Sequence, residues 1–277
     1  MKLSVKLCFV VLALYLGAAI YGEYEYAHAK YRDVTPIYNR VDTSARYLPP
    51  SRAHIFGTDN LGRSVARRLI QGTRIAFHVG IMTSLIAIPL GVVLGLLGGY
   101  FGGKVDSLVV WLSATVASMP GLLFILAISL IAGQGLLGIY LGIGFTTWVG
   151  VCRTIRAEVM KHRERAYVQA AKTLGYSHAR IMFRHILPNV MHIVLIQFSI
   201  RFPSAVSTEV FISFLGIGVQ GEPSWGIMIN NARLRLWQGV WWEMAFTTAA
   251  IFVLVLVFNH LADYLRDRLD PALRSER

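Results

Sequence analysis

From Ile75 to Phe101, and again from Ser107 to Val151, the chain carries no Asp, Glu, Lys or Arg. Crossing the hydrocarbon of a bilayer takes about 20 residues of helix, and only helices or closed barrels satisfy every backbone polar group there. The first stretch is long enough to cross with tilt, and Pro89 marks a site for a kink. The second is too long for one crossing, and Gly133-Gln134-Gly135 divides it. Further apolar blocks run Leu7–Ile20, His185–Leu215 and Met244–Ala262. The pattern predicts an all-α polytopic membrane protein of about six transmembrane helices. Composition agrees, since 55% hydrophobic and 15% charged residues leave too little charge to cover a soluble domain of 277 residues.

The expected organisation has a first transmembrane helix at residues 1–22, opened by Lys2 and Lys6 and retained rather than cleaved. Residues 23–73 read as a loop outside the membrane, broken by Pro36, Pro49 and Pro50. Within it, Leu61–Ile75 reads as a short amphipathic basic helix at the interface. Residues 74–277 form the membrane core, with five transmembrane helices, a basic cytoplasmic loop at about 153–189 and a charged C-terminal tail. The positive-inside rule then places both termini in the cytoplasm. Seven arginines in the first loop (Arg32, Arg40, Arg46, Arg52, Arg63, Arg67, Arg68) strain that topology, although long loops translocate with less regard for charge. The formal net charge of +12 fits loops that meet anionic lipid, so membrane lipid is an expected partner and nucleic acid is not. Cys8 and Cys152 have no metal-ligand or disulfide spacing and read as packing residues.

The basic loop has more order than a tether needs. Tyr167, Ala170, Ala171 and Leu174 fall at i, i+3, i+4 and i+7, the apolar stripe of a helix. Gly175 follows, where a left-handed helix stop is expected. A second stripe runs Ala179, Met182, Phe183 and Ile186, and Pro188 closes the unit. Two short amphipathic helices hinged at a glycine must cover their apolar faces. Periodicity leaves two covers open: a partner protein, or the chain's own span ends.

Charged residues within spans are functional candidates by default. Arg201 and Glu209 lie in the fifth apolar block, with Gln197 one turn before Arg201. They either line a pathway or make polar contacts that hold helices or subunits together. His78, His192 and His260 read as packing or hydrogen-bonding groups. Trp225, Trp237, Trp241 and Trp242 read as an interfacial belt. No metal centre is expected, and no catalytic constellation appears, neither HExxH nor GxSxG nor paired intramembrane carboxylates. Gly98–Val105 comes close to a phosphate loop, but Val105 has no hydroxyl and no strand precedes it. The chain therefore reads as non-enzymatic, with transport energy drawn from a separate subunit or an ion gradient.

The run Tyr167-Val168-Gln169-Ala170-Ala171-Lys172-Thr173-Leu174-Gly175, followed by Arg184-His185-Ile186-Leu187-Pro188-Asn189, resembles the "EAA" loop of binding-protein-dependent ABC permeases. Ala170, Ala171, Gly175, Leu187 and Pro188 match in register. Gln169 stands where Glu is common and His185 where Ile is common. Phe56-Gly57-Thr58-Asp59-Asn60-Leu61-Gly62-Arg63 resembles a segment of the dipeptide/oligopeptide/nickel branch, with Ile55 and Ser64 departing from its pattern. Ser213–Gln220, Pro223-Ser224-Trp225-Gly226 and Asp263–Pro271 resemble other segments of that branch, and the whole looks like its C-type subunit.

The resemblance implies a type I ABC importer permease fold in a bacterial inner membrane. It also implies that Tyr167, Gln169, Ala170, Ala171, Leu174, Gly175, Leu187 and Pro188 couple the chain to an ATPase. The implied partners are a second homologous permease, two cytoplasmic ATPase subunits that hold ATP and Mg, and a periplasmic or lipid-anchored substrate-binding protein. Pro223, Ser224, Trp225 and Gly226 are candidates for touching that binding protein. The implied cargo is di- or oligopeptides, with nickel chelates or another small solute as alternatives. A self-sufficient secondary transporter would need inverted repeats, which are not evident.

Overall fold

A computed structural model describes residues 3–133, 135–219 and 221–269. Lys2, Gln134, Gln220, Asp270, Pro271 and Arg274 lie outside the described residues. The chain is helical: α1 (Leu3–Tyr31), α2 (Val65–Phe101), α3 (Gly103–Ser118), α4 (Gly121–Ile131), α5 (Leu136–Arg163), α6 (Ala166–Thr173), α7 (His178–Arg180), α8 (Leu187–Phe214), α9 (Trp225–Arg233) and α10 (Trp242–Leu269). A π turn at Ile181–Ile186 joins α7 to α8, so that His178–Phe214 is one helical run. Five helices among the described residues are long and apolar enough to cross a membrane, and there are six if α3 and α4 count as one broken span.

Several boundaries differ from the sequence expectation. The first helix does not stop at residue 22; it continues to Tyr31 because its polar end finds partners. Gly22 accepts a hydrogen bond from Gln71 Nε2 (3.0 Å), Glu23 pairs with Arg74 and His78, and Glu25 faces Arg67. The short helix expected at Leu61–Ile75 is not separate, since Val65–Phe101 is a single 37-residue helix. Its polar face is internal rather than at headgroups: Arg68 and Arg74 are each 3% exposed and Gln71 is fully buried.

The stretch Ser107–Val151 breaks twice. One break is the glycine pair Gly133 and Gly135, both at positive φ. The other, at Met119-Pro120, bends α3 against α4 by 92°. Met119 is extended (φ −82°, ψ 140°), as steric conflict with a following proline ring demands.

The chain forms two compact units. The first comprises Met1–Ile81, Gly133–Ile139 and Phe202–Leu261. There the loop between α1 and α2 folds onto its own carboxylate. Asp59 accepts from the backbone N–H groups of Leu61 and Arg63 (2.9 Å each) and from Arg63 Nε (2.7 Å), with Arg68 Nε at 3.4 Å. Thr58 donates to the Ala45 carbonyl, and its own carbonyl accepts from Trp242 Nε1 (3.0 Å). Gly62 (φ +74°) admits no side chain, because a Cβ would overlap the Asp42 carbonyl. Trp225 Nε1 donates to the Leu69 carbonyl (3.2 Å), and Arg74 binds Glu222.

The second unit comprises Met82–Ala132, Tyr140–Arg201 and Ala262–Arg277. Within it α2 and α5 approach through Gly91, Gly95 and Gly99. A Cβ on these would lie 2.8–2.9 Å from the Trp148, Cys152 and Arg156 carbonyls. Small residues at this spacing let membrane helices pack backbone to backbone, in the absence of a hydrophobic drive between them. Arg156 clamps α5 to the first turn of α3 through both oxygens of Asp106, with Nη2 at 2.6 Å from Oδ2. Gly98–Val105, the near-match to a phosphate loop, is the junction of α2 and α3.

Candidate functional site

The segment from α6 to the π turn sits on the second unit as a clamped two-helix bracket. Val168 and Ala171 on α6, and Ile181, Met182 and Ile186 beyond it, are buried. They share one apolar cluster with Ile88, Val92, Leu96 and Tyr100 of α2, Val151, Ile155 and Val159 of α5, and Val190 of α8. Tyr167 and Leu187 pack at its edge.

The apolar stripes therefore divide differently from the sequence expectation. Ala170 and Leu174, expected on one stripe with Ala171, are exposed, and Leu174 is 71% open. Ala179 and Phe183 are exposed too, while Ile181, absent from the expected second stripe, is fully buried. The reason is local geometry. Leu187 N–H donates to the Met182 carbonyl, an i→i−5 bond. This wider turn brings Ile181, Met182 and Ile186 onto one face in place of the 3.6-residue set. Pro188 does not close a unit as expected; it is the second residue of α8. Its ring would clash with the Arg184 carbonyl in a regular α-helix, and a π turn just before it is one way to relieve that clash.

Both sides of the hinge between α6 and α7 are capped. Gly175 N–H donates to the Lys172 carbonyl (2.9 Å) and Tyr176 N–H to the Ala171 carbonyl (3.1 Å), the paired bonds of a Schellman stop. Gly175 takes φ +75°, and no atom lies within 4 Å of where its Cβ would be. The glycine is there for its backbone freedom, not for lack of room. Ser177 Oγ accepts from Arg180 N–H to start α7.

Aromatic side chains pin the bracket to the spans. Tyr167 and His162 Nδ1 bond at 2.8 Å, and Tyr100 and His178 Nδ1 at 2.9 Å. Tyr176 stacks on His185, and Arg180 also lies over its ring. Burial pushes the Tyr167 phenol above its ordinary pKa, so it keeps its proton for that bond. Gln169 Nε2 donates to the Arg163 carbonyl (3.0 Å). A carboxylate cannot donate this bond, which gives Gln at this position a structural reason. Sequence reasoning missed Tyr100, His162 and His178; single aromatic and histidine residues at helix ends carry no periodic signal.

Among the residues that remain open are the small or apolar Ala170, Leu174 and Gly175 at the end of α6 and Phe183, 53% exposed, on the π turn, bordered by the exposed polar residues Gln169, Lys172, Thr173, Arg180 and Arg184.

The other candidates fall elsewhere. Pro223, Ser224, Trp225 and Gly226, read as a surface contact, are all buried in the first unit; Ser224 is 0% and Trp225 1% exposed. Ser224 caps α9, and a Cβ on Gly226 would strike the Val210 carbonyl. Glu209, 1% exposed, accepts from Ser213 Oγ (2.6 Å), which in turn accepts from Val219 N–H (3.3 Å). It holds a turn. Gln197 Nε2 donates to Thr154 Oγ1 (3.3 Å), and Arg201 has no acceptor among the described residues. The four-tryptophan belt is also divided: Trp225 and Trp242 are core, while Trp237 (95%) and Trp241 (53%) are open. No group of His, Cys, Asp and Glu suited to a metal ion occurs among the described residues.

Comparison with known proteins agrees with this architecture. The sequence profile described as "Binding-protein-dependent transport system inner membrane component" matches residues 87–275. The dipeptide transport system permease protein DppC of Bacillus subtilis (strain 168) is 36% identical over 274 residues, 99% of this chain and 83% of that protein. The oligopeptide transport system permease protein OppC of the same organism is 34% identical, over 87% of this chain and 80% of that one. A solved chain described as "Crystal structure of an amino acid ABC transporter with histidines" superposes with a TM-score of 0.57 at 16% identity. That superposition covers 73% of this chain and 94% of the solved one, and is a likeness of fold. The chain thus belongs to the family of binding-protein-dependent transport system inner membrane components, as a multi-pass, non-catalytic permease subunit.

Proposed function

We propose that this chain is one of two permease subunits of an ATP-driven importer of di- or oligopeptides, and that the bracket from Tyr167 to Pro188 couples it to the motor. The observation that carries the reading is the division of that bracket. Val168, Ala171, Ile181, Met182 and Ile186 lock one face into the spans, while Ala170, Leu174, Gly175 and Phe183 stay open on the other. A helix pair clamped on one side transmits a push instead of absorbing it. Small residues at its apex permit close approach by a groove on another protein. The sequence holds no phosphate loop beyond the incomplete match at Gly98–Val105, and in this reading ATP and Mg belong to two cytoplasmic ATPase subunits that receive this face.

In this reading both termini and the bracket are cytoplasmic. Residues between α1 and α2 lie in the periplasm, where a periplasmic or lipid-anchored binding protein delivers substrate to this chain and a second homologous permease. Peptide as cargo is supported by the transport named for the relatives above.

The test is reconstitution of both permeases, the two ATPase subunits and the binding protein with Leu174→Glu in this chain. Leu174 is 71% exposed, so folding and membrane abundance are expected to stay normal. Co-purification of the ATPase subunits and ATP-dependent dipeptide uptake are both expected to fall tenfold or more, by roughly the cost of burying an unpaired carboxylate at an interface. Normal uptake by this variant would overturn the coupling role.

A further inference from the structure

Arg201 has the surroundings of a ligand-binding group and not of a structural one. It lies in an apolar span, where an ionisable side chain is costly and is ordinarily paired. Other charged side chains on the spanning helices face an opposite charge, Asp106 with Arg156, Arg68 with Asp59, and Arg74 with Glu23 and Glu222, while Glu209 accepts from Ser213 and Glu243 keeps one buried oxygen without a partner. Arg201 forms no ion pair and no hydrogen bond among the described residues, and its Nε is buried without an acceptor. The side chain as a whole is only half-buried, so its guanidinium edge is open.

The neighbouring residues make room for that guanidinium. Gly150 of α5 lies directly beneath it, and a Cβ there would collide with Nη2. Gly150 belongs to a face of α5 that runs Thr147, Gly150, Thr154 at i, i+3 and i+7, polar or bare along its length. Both threonines donate to carbonyls of their own helix (2.8 and 3.0 Å), which leaves oxygen lone pairs outward. One turn before Arg201, Gln197 is tethered to Thr154. An arginine placed over a glycine and flanked by hydroxyls and an amide, with no ion-pair partner among the described residues, presents a fork of donors that matches one planar anion.

We propose that Arg201 is a specificity-determining residue of the transport path that receives the carboxylate of the cargo. This rests on the peptide-importer reading, in which that group is the peptide C-terminus. Gln197 and Thr154, bonded to each other, offer further polar groups on the neighbouring turns, and Gly150 keeps the seat of the fork clear. No covalent step is involved; the carboxylate exchanges water for the guanidinium as it passes.

The experiment has an arm that does not depend on the cargo. Arg201→Cys, made in a background carrying Cys8→Ser and Cys152→Ala, is assembled with its ATPases and second permease in membrane vesicles. Thiol modification by sulfonatoethyl methanethiosulfonate needs water at the site, because the reactive form is the thiolate. Modification is expected, and protection from the reagent overturns the proposal. In the second arm, ATP-driven dipeptide uptake is expected to fall roughly tenfold or more in Arg201→Gln, consistent with loss of a charge-assisted pair, and to recover only in part in Arg201→Lys, which keeps the charge but not the planar fork. Assembly with the second permease and the ATPases is expected to stay unchanged in both. Uptake by Arg201→Gln at the wild-type rate overturns the proposal. So does loss of the second permease from that variant, since Arg201 would then be an inter-subunit pair. A wild-type complex that carries no dipeptide, with the thiol still modified, removes the peptide reading and leaves the anion path standing.

Discussion

Two kinds of segment in this chain carry equally recognisable motifs, and they use them in opposite ways. The loop at 56–63 and the turn at 223–226 point their motif residues inward. Thr58, Asp59, Ser224 and Trp225 are each at most 1% exposed, and their polar atoms are spent on backbone groups of the same unit. The bracket at 167–188 points half of its motif outward and leaves Ala170, Leu174 and Gly175 uncovered. A recurrent sequence segment thus marks either a scaffold or a contact surface. Only exposure separates the two, because folding consumes the groups of one and leaves those of the other available.

The contrast makes graded predictions. The largest effect is expected inside the first segment's anchor. Trp242→Ala removes a 6%-exposed ring and the donor to the Thr58 carbonyl, and should cost about 3–5 kcal/mol, read as loss of folded protein in a thermal unfolding series in detergent. Next is Asp59→Asn, which keeps the volume but leaves Arg63 and Arg68 facing a neutral amide. A loss of roughly 1.5–3 kcal/mol is expected, with unchanged binding to the ATPases in whatever protein survives. Gly175→Ala should cost about 1 kcal/mol, because the left-handed backbone is strained for any Cβ even in open space. Gly175→Asn should recover most of it, since Asn tolerates that region. The smallest stability change belongs to Leu174→Ser, within about 0.5 kcal/mol, yet uptake should drop clearly. If Leu174→Ser unfolds the protein, or Asp59→Asn spares stability and abolishes coupling, the contrast between the two segments is lost.

Much was legible from residue order. The long uncharged blocks predicted the spans because lipid offers no partner for an exposed charge or a loose backbone group. Gly175 was legible because only a residue without Cβ takes φ +75° at so little cost. What could not be read were pairings between distant positions. The polar residues of 65–74 looked like a lipid-facing amphipathic helix, and became internal once Asp59, Glu23 and Glu222 were seen to meet them. The register of the second bracket helix was hidden because a π turn changes the period that an amphipathic reading assumes.

By itself, then, residue order determined about how many times this chain can enter the lipid, the helix stop at Gly175 and which permease family it resembles, since those depend on local hydropathy, backbone freedom and short motifs. Tertiary structure alone decided which charges are spent and which are free. It buried Trp225, left Leu174 open and stranded Arg201 over Gly150, because burial is settled by what packs from elsewhere in the chain and not by the identity of the residue itself.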